Sequence, residues 1–162
     1  MLIIGVVFFG VMTPIAGLLA DRFGRRPTLL VITALIALFG LSFQAWFGSS
    51  AGSPVATTAF LAVGLALMGL TFGPMGALLP ELFPTNVRYT GSAISYNVAS
   101  ILGASIAPIV AVLLWQRDGD ILRVGLYLTG AAVITFVALL LTRETRDVDL
   151  LEASVAEAAA AP

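Results

Sequence analysis

The chain has 162 residues, 59% of them apolar and only 10% charged, with a net charge of −1 and a mean hydropathy of +1.05. Soluble domains carry about 25% charged residues, so these values rule out a disordered chain and argue against an ordinary water-soluble one. The lack of Cys and His removes disulfides, thiolates, and the commonest metal ligand and general base. All eight cations are arginine, and their balance against nine acids leaves no basic footprint for nucleic acid.

The charges fall into four clusters that leave stretches 1–20, 27–80, 89–116 and 124–142 free of charge. A helix needs about 20 apolar residues to cross about 30 Å of hydrocarbon. The first such helix is expected over 2–20. It is expected to be a spanning helix and not a signal peptide, because it lacks a basic leading region and runs into Asp21-Arg22 without a small-residue cleavage site. Residues 17–26 read Gly-Leu-Leu-Ala-Asp-Arg-Phe-Gly-Arg-Arg, a tight turn between two membrane helices. Gly17 and Gly24 permit close approach or positive φ. Asp21 can cap a helix N-terminus, and Arg22, Arg25 and Arg26 can pair with carboxylates or lipid phosphate. Pro27 suits the first turn of the next helix, expected over 28–47.

Residues 48–54, Gly-Ser-Ser-Ala-Gly-Ser-Pro, break the long apolar stretch before a third helix over 56–79. After the 80–89 loop a fourth helix covers 90–114, and a fifth covers 122–142. The bundle thus spans 1–146, and an acidic, then Ala-rich tail follows over 147–162. If loops alternate sides, 21–27, 80–89 and the C-terminus share a face with six arginines, against Arg117 and Arg123 opposite. The positive-inside rule makes the richer face cytoplasmic.

The run Gly17-x-x-x-Asp21-Arg22-x-Gly24-Arg25-Arg26 resembles the signature of the major facilitator superfamily, which occurs between helices 2 and 3 and again between 8 and 9. Residues 80–91, Pro-Glu-Leu-Phe-Pro-Thr-Asn-Val-Arg-Tyr-Thr-Gly, are similar to the loop between helices 10 and 11, with Glu81 seven positions before Arg88. The fourth helix carries Tyr96-Asn97, Gly103 and Pro108, and residues 143–150 are similar to the tail after helix 12. The resemblance is strongest to the metabolite:proton symporter branch, whose substrates include organic acids and zwitterionic osmolytes; sugar porters share much of this loop grammar.

The resemblance covers residues 1 to about 150 and implies helices 8–12, a partial C-terminal six-helix bundle, of a twelve-helix transporter. The implied partners are a small-molecule substrate, the bilayer of the cell (inner) membrane and a missing N-terminal half. It also implies a loop network in which Glu81, Arg88 and Glu144 meet Arg22, Arg25 and Arg26, tying helix ends in one conformation and releasing them in another. In the family Asp21 faces a helix of the other half; in this chain alone it is expected to be hydrated.

No charge lies in the central part of any expected helix, so no proton-carrying carboxylate is present here. Neither is a paired-carboxylate, His or Cys constellation for chemistry, and no enzyme, cofactor or metal site is expected. Thr71, Phe72 and Met75, beside Pro74, and Tyr96 with Asn97 are the candidate substrate-cavity residues. Gly91, Ser95, Ala99, Gly103 and Ala107, four apart, form a small-residue row suited to helix packing. The alternatives are a sugar porter, or a small structural or regulatory membrane module without transport of its own.

Overall fold

A computed structural model describes residues 1–48 and 53–142. The chain is an all-α membrane protein, and the described residues contain no strand. Its helices are α1 (Leu2–Phe23), α2 (Arg25–Leu41), α3 (Phe43–Gly48), α4 (Pro54–Glu81), α5 (Arg88–Ser100), α6 (Ala107–Asp118) and α7 (Ile121–Leu141). A π-helical stretch, Ile101–Ile106, joins α5 and α6 into one rod. Among the described residues, four helices are long and apolar enough to cross a membrane: Leu2–Phe23, Pro54–Glu81, Arg88–Arg117 and Ile121–Leu141.

The helix ends follow local chemistry. Gly24, at φ 103°, is the single residue between α1 and α2, and its N–H donates to Ala20 O at 2.9 Å. A side chain there would be strained. The Ser53 hydroxyl accepts from Ala56 N at 3.5 Å, with Pro54 opening α4. Gly119, at φ 67°, ends α6 in the left-handed region, and Asp120 caps α7 by accepting from Leu122 N at 2.9 Å. These two residues make the whole α6–α7 connection, so the helix continues to Asp118, beyond the expected limit of 114.

The expected continuous helix over 28–47 is interrupted at Ser42. The Ser42 hydroxyl donates to Phe39 O at 2.7 Å, and its N–H is shared between Leu38 O and Phe39 O, both at 3.1 Å. Such local bonding competes with the regular ladder. Phe39, Phe43 and Phe47, four apart, all reach the Phe60 ring of α4, each at 4.9 Å between centroids. At 17 residues α2 rises only about 25 Å, short of the hydrocarbon thickness, and α3 extends it.

Two close crossings build the bundle. Along α1 and α4, a side chain at Gly69 would strike the Phe9 backbone, and one at Gly73 would strike the backbone of Thr13 and Gly17. Ala16, beside Gly73, is buried in the same seam, and Ala20 is buried one turn further along α1. Along α2 and α7, Gly40 and Gly125 face each other's backbone, and the Thr129 hydroxyl bridges to Ala37 O at 3.2 Å. Small residues of this kind let backbones approach where lipid supplies no hydrophobic drive. Leu29, Leu78 and Leu139 join the two pairs in one buried cluster.

The rod is different. Its apolar window buries none of its residues. The Phe83 ring, in the loop that follows α4, covers its Gly91. The π-helical stretch sits just ahead of Pro108, whose ring would collide with the Ala104 carbonyl in a regular α-turn.

Candidate functional site

The single-residue turn at Gly24 places two adjacent arginines at the very start of α2. They point to different helices. Arg25 Nη1 lies 2.8 Å from Glu81 Oε1 at the end of α4, and both side chains are mostly buried, at 17% and 13% exposure. Arg25 Nη2 is also 3.9 Å from Asp21, whose side chain is 69% exposed. Arg26 donates from Nε to Leu139 O at 3.0 Å and from Nη2 to Leu140 O at 2.7 Å, satisfying carbonyls left open at the end of α7. One turn thus ties together the ends of α1, α2, α4 and α7.

Arg88 serves the neighbouring end. Its Nε donates to Pro80 O at 3.2 Å and Phe83 O at 3.4 Å, and its Nη2 to Thr85 Oγ1 at 3.4 Å. It therefore fastens the start of α5 to the end of α4 through carbonyls. Arg22 extends outward, its guanidinium carbon 5.6 Å from the Phe23 ring centroid. Glu144 lies outside the described residues. Of the expected loop network, then, Glu81 and Arg25 meet directly, while Arg26 and Arg88 act on helix-end carbonyls. Gly17 lies against Gly73 in the α1–α4 seam, and Gly24 makes the turn.

Beside this end, α4 and α5 enclose a groove of about 390 Å³. Phe72 and Met75 line one wall, Tyr96 and Asn97 the other, so four of the five cavity candidates share one space. Thr71 lies outside that lining, and its hydroxyl donates to Met68 O at 2.7 Å. Asn97 Nδ2 donates to Ala93 O at 2.8 Å in its own helix. Among the described residues its side-chain carbonyl and the Tyr96 hydroxyl make no hydrogen bond to the protein. Tyr89 and Ser92 lie at the same groove, and Ser92 is turned back onto Arg88 O at 2.6 Å. The groove can hold a small molecule by contact and hydrogen bonding.

The small-residue row divides. Gly91 meets Phe83, whereas a side chain at Gly103 would meet nothing within 4 Å, and Ala99 is exposed. Ser95 and Ala107 are half-buried. Among the described residues no group of three His, Cys, Asp or Glu side chains could hold a metal. Sequence reasoning did not find the Arg26 cap on α7 or the Gly40–Gly125 crossing. Both depend on which helices are neighbours, and local spacing carries no signal for that.

The chain matches the family described as "Sugar (and other) transporter" over residues 1–156. It is similar to the "Inner membrane metabolite transport protein YhjE" of Escherichia coli, at 61% identity over 147 residues, covering 90% of this chain and 33% of that protein. A "Putative metabolite transport protein" of Haemophilus influenzae is 46% identical over 152 residues, covering 94% of this chain and 34% of that protein. The "Proline/betaine transporter" of Salmonella typhimurium is 34% identical over 144 residues, covering 89% and 28%. The chain spans about a third of the length of these curated relatives. No solved structure matches it.

Proposed function

The chain belongs to the sugar (and other) transporter family of the major facilitator superfamily, and on that premise we propose that it forms the last five helices of a secondary transporter. Its substrate is a small polar metabolite, an organic acid or an osmolyte, carried by alternating access with proton symport. The proton-carrying group then lies outside this chain, because the charges described here sit at helix ends. The Gly24 turn, the 80–89 loop and the C-terminus face the cytoplasm.

The observation that carries this reading is the coupling of the Gly24 turn to the ends of two other helices, α4 and α7, beside the α4–α5 groove. Rigid helices joined at one point by a few charge-assisted bonds can be held in one arrangement and freed in another. The open flanks of the rod support a partner half that packs against α5 and α6. The names of the relatives support a metabolite or a zwitterion as the substrate class.

A chimaera tests the proposal. The C-terminal third of the E. coli relative is replaced by this chain, and uptake of proline, betaine and organic acids is measured against the unmodified relative. The chimaera is expected to accumulate the same substrate, and this chain alone in proteoliposomes to accumulate none. A membrane-inserted chimaera without uptake, or uptake by the isolated chain, overturns the reading. Arg88→Ala in the chimaera is expected to impair uptake more than insertion.

A further inference from the structure

We propose that the groove between α1 and α2 seats one acyl chain of an anionic phospholipid whose phosphate is received by Arg22. This goes beyond the transport reading and does not depend on it. The groove has a volume of about 400 Å³ and is walled by Leu19 and Phe23 of α1, Pro27, Val31 and Leu35 of α2, and Leu70 behind them. The only hydroxyl in its lining, of Thr28, is committed to Gly24 O at 2.7 Å. An occupant must therefore be apolar along its whole seated length. From Pro27 to Leu35 the groove follows α2 inward for about 12 Å, close to the roughly 15 Å of hydrocarbon in one leaflet. It starts at the charged end of the bundle, where a headgroup would lie.

The charge at that mouth selects the headgroup. Arg22 is exposed and braced on the Phe23 ring that forms the groove wall. Four other ionisable groups lie at this end of the bundle, Asp21, Arg25, Arg26 and Glu81, and each is engaged with another group. Asp21 is directed to Arg25, Glu81 pairs with Arg25, and Arg26 is bonded to the end of α7. Among the described residues Arg22 has no carboxylate partner. A cation held at the bilayer interface above an acyl-sized slot is complementary to a lipid phosphate. The α2–α7 groove is an internal comparison. It measures about 320 Å³ and is equally apolar, but among the described residues no arginine stands on its one ring, Phe136. It should not discriminate between lipid charges.

The test uses the full chain in nanodiscs of phosphatidylcholine with a minor fraction of phosphatidylglycerol, followed by mild detergent extraction. Native mass spectrometry reads the retained lipid. Phosphatidylglycerol is expected to be enriched over its bulk fraction by about fivefold, the effect of one arginine near the surface (about 1 kcal/mol). Arg22→Gln should abolish the enrichment. Arg117→Gln, the same charge loss at the end of the rod, should leave it unchanged. Val31→Trp, filling the slot, should lower retained lipid of both kinds, with helix content checked by circular dichroism. If that variant misfolds, the two arginine variants still decide. Enrichment that survives Arg22→Gln, or that falls equally in Arg117→Gln, overturns the proposal. So does a dimer that Val31→Trp dissociates, which would give the groove to a second copy.

Discussion

The α1–α4 seam and the α5–α6 rod are made from similar residues, yet one is buried and the other is not. Both carry glycine and alanine at helical spacing, both contain proline, and both are apolar enough to cross a bilayer. In the seam, Gly69 and Gly73 meet the backbone of α1 directly, while in the rod Gly103 faces open space. Small residues therefore give a membrane helix the capacity for close contact and do not name the contact. In water the exposed apolar flanks of the rod would cost about 25 cal/mol per Å². Lipid removes that cost, so the rod can stand free until another protein surface meets it.

The largest effect should come from filling a crossing. Gly125→Leu places a side chain against Gly40 O and the Phe43 Cβ. It is expected to destabilise the bundle by about 1–3 kcal/mol or more, read as lost thermal stability in detergent. Gly103→Leu on the rod should change the same measurement by no more than about 0.5 kcal/mol. Equal effects would end the distinction between the two regions.

Next in size is the Arg25–Glu81 pair, where Glu81→Gln should cost about 1–3 kcal/mol because the partner charge stays mostly buried. A double-mutant cycle with Arg25→Gln should show the combined variant to be less unstable than the sum of the two. Additivity would mean that the two groups act independently. Arg26→Gln should cost about 1 kcal/mol and act locally. Hydrogen exchange should quicken at the last turn of α7, where Thr142 N–H meets Ala138 O at 3.1 Å, and leave the α1–α4 seam unchanged. A small effect on stability is also expected from Pro108→Ala. Restoring the N–H and removing the ring clash should let residues 101–106 relax to a regular α-helix. Spin labels on either side of the stretch would report a changed distance, with stability altered by less than about 1 kcal/mol.

Much of this was legible in the residues. The turn at Gly24 follows from a glycine between two charged apolar-helix ends; α4 begins at Pro54, two residues before the expected 56, because Pro54 opens the helix behind the Ser53 cap. Phe72, Met75, Tyr96 and Asn97 could be singled out by type and neighbourhood, and they share one groove. Thr71 could not be separated from them, because whether it faces the groove depends on the rotation of α4 against α5. The break at Ser42 was also hidden. A single serine in an apolar run is usually tolerated, and its effect here goes with the Phe60 ring, which lies on another helix.

The sequence alone determined the membrane class, the approximate apolar segments and the clustering of charge at helix ends. These depend on local composition, which sets the solvent each stretch can tolerate. Tertiary structure alone decided which arginine reaches which helix. Arg25 and Arg26 are adjacent and chemically identical, yet one meets a carboxylate on α4 and the other the carbonyls of α7. Successive residues at a helix start project about 100° apart, so their partners are set by the helices that stand on either side. That arrangement comes from the glycine crossings, whose close fit depends on pairs of residues far apart in the chain.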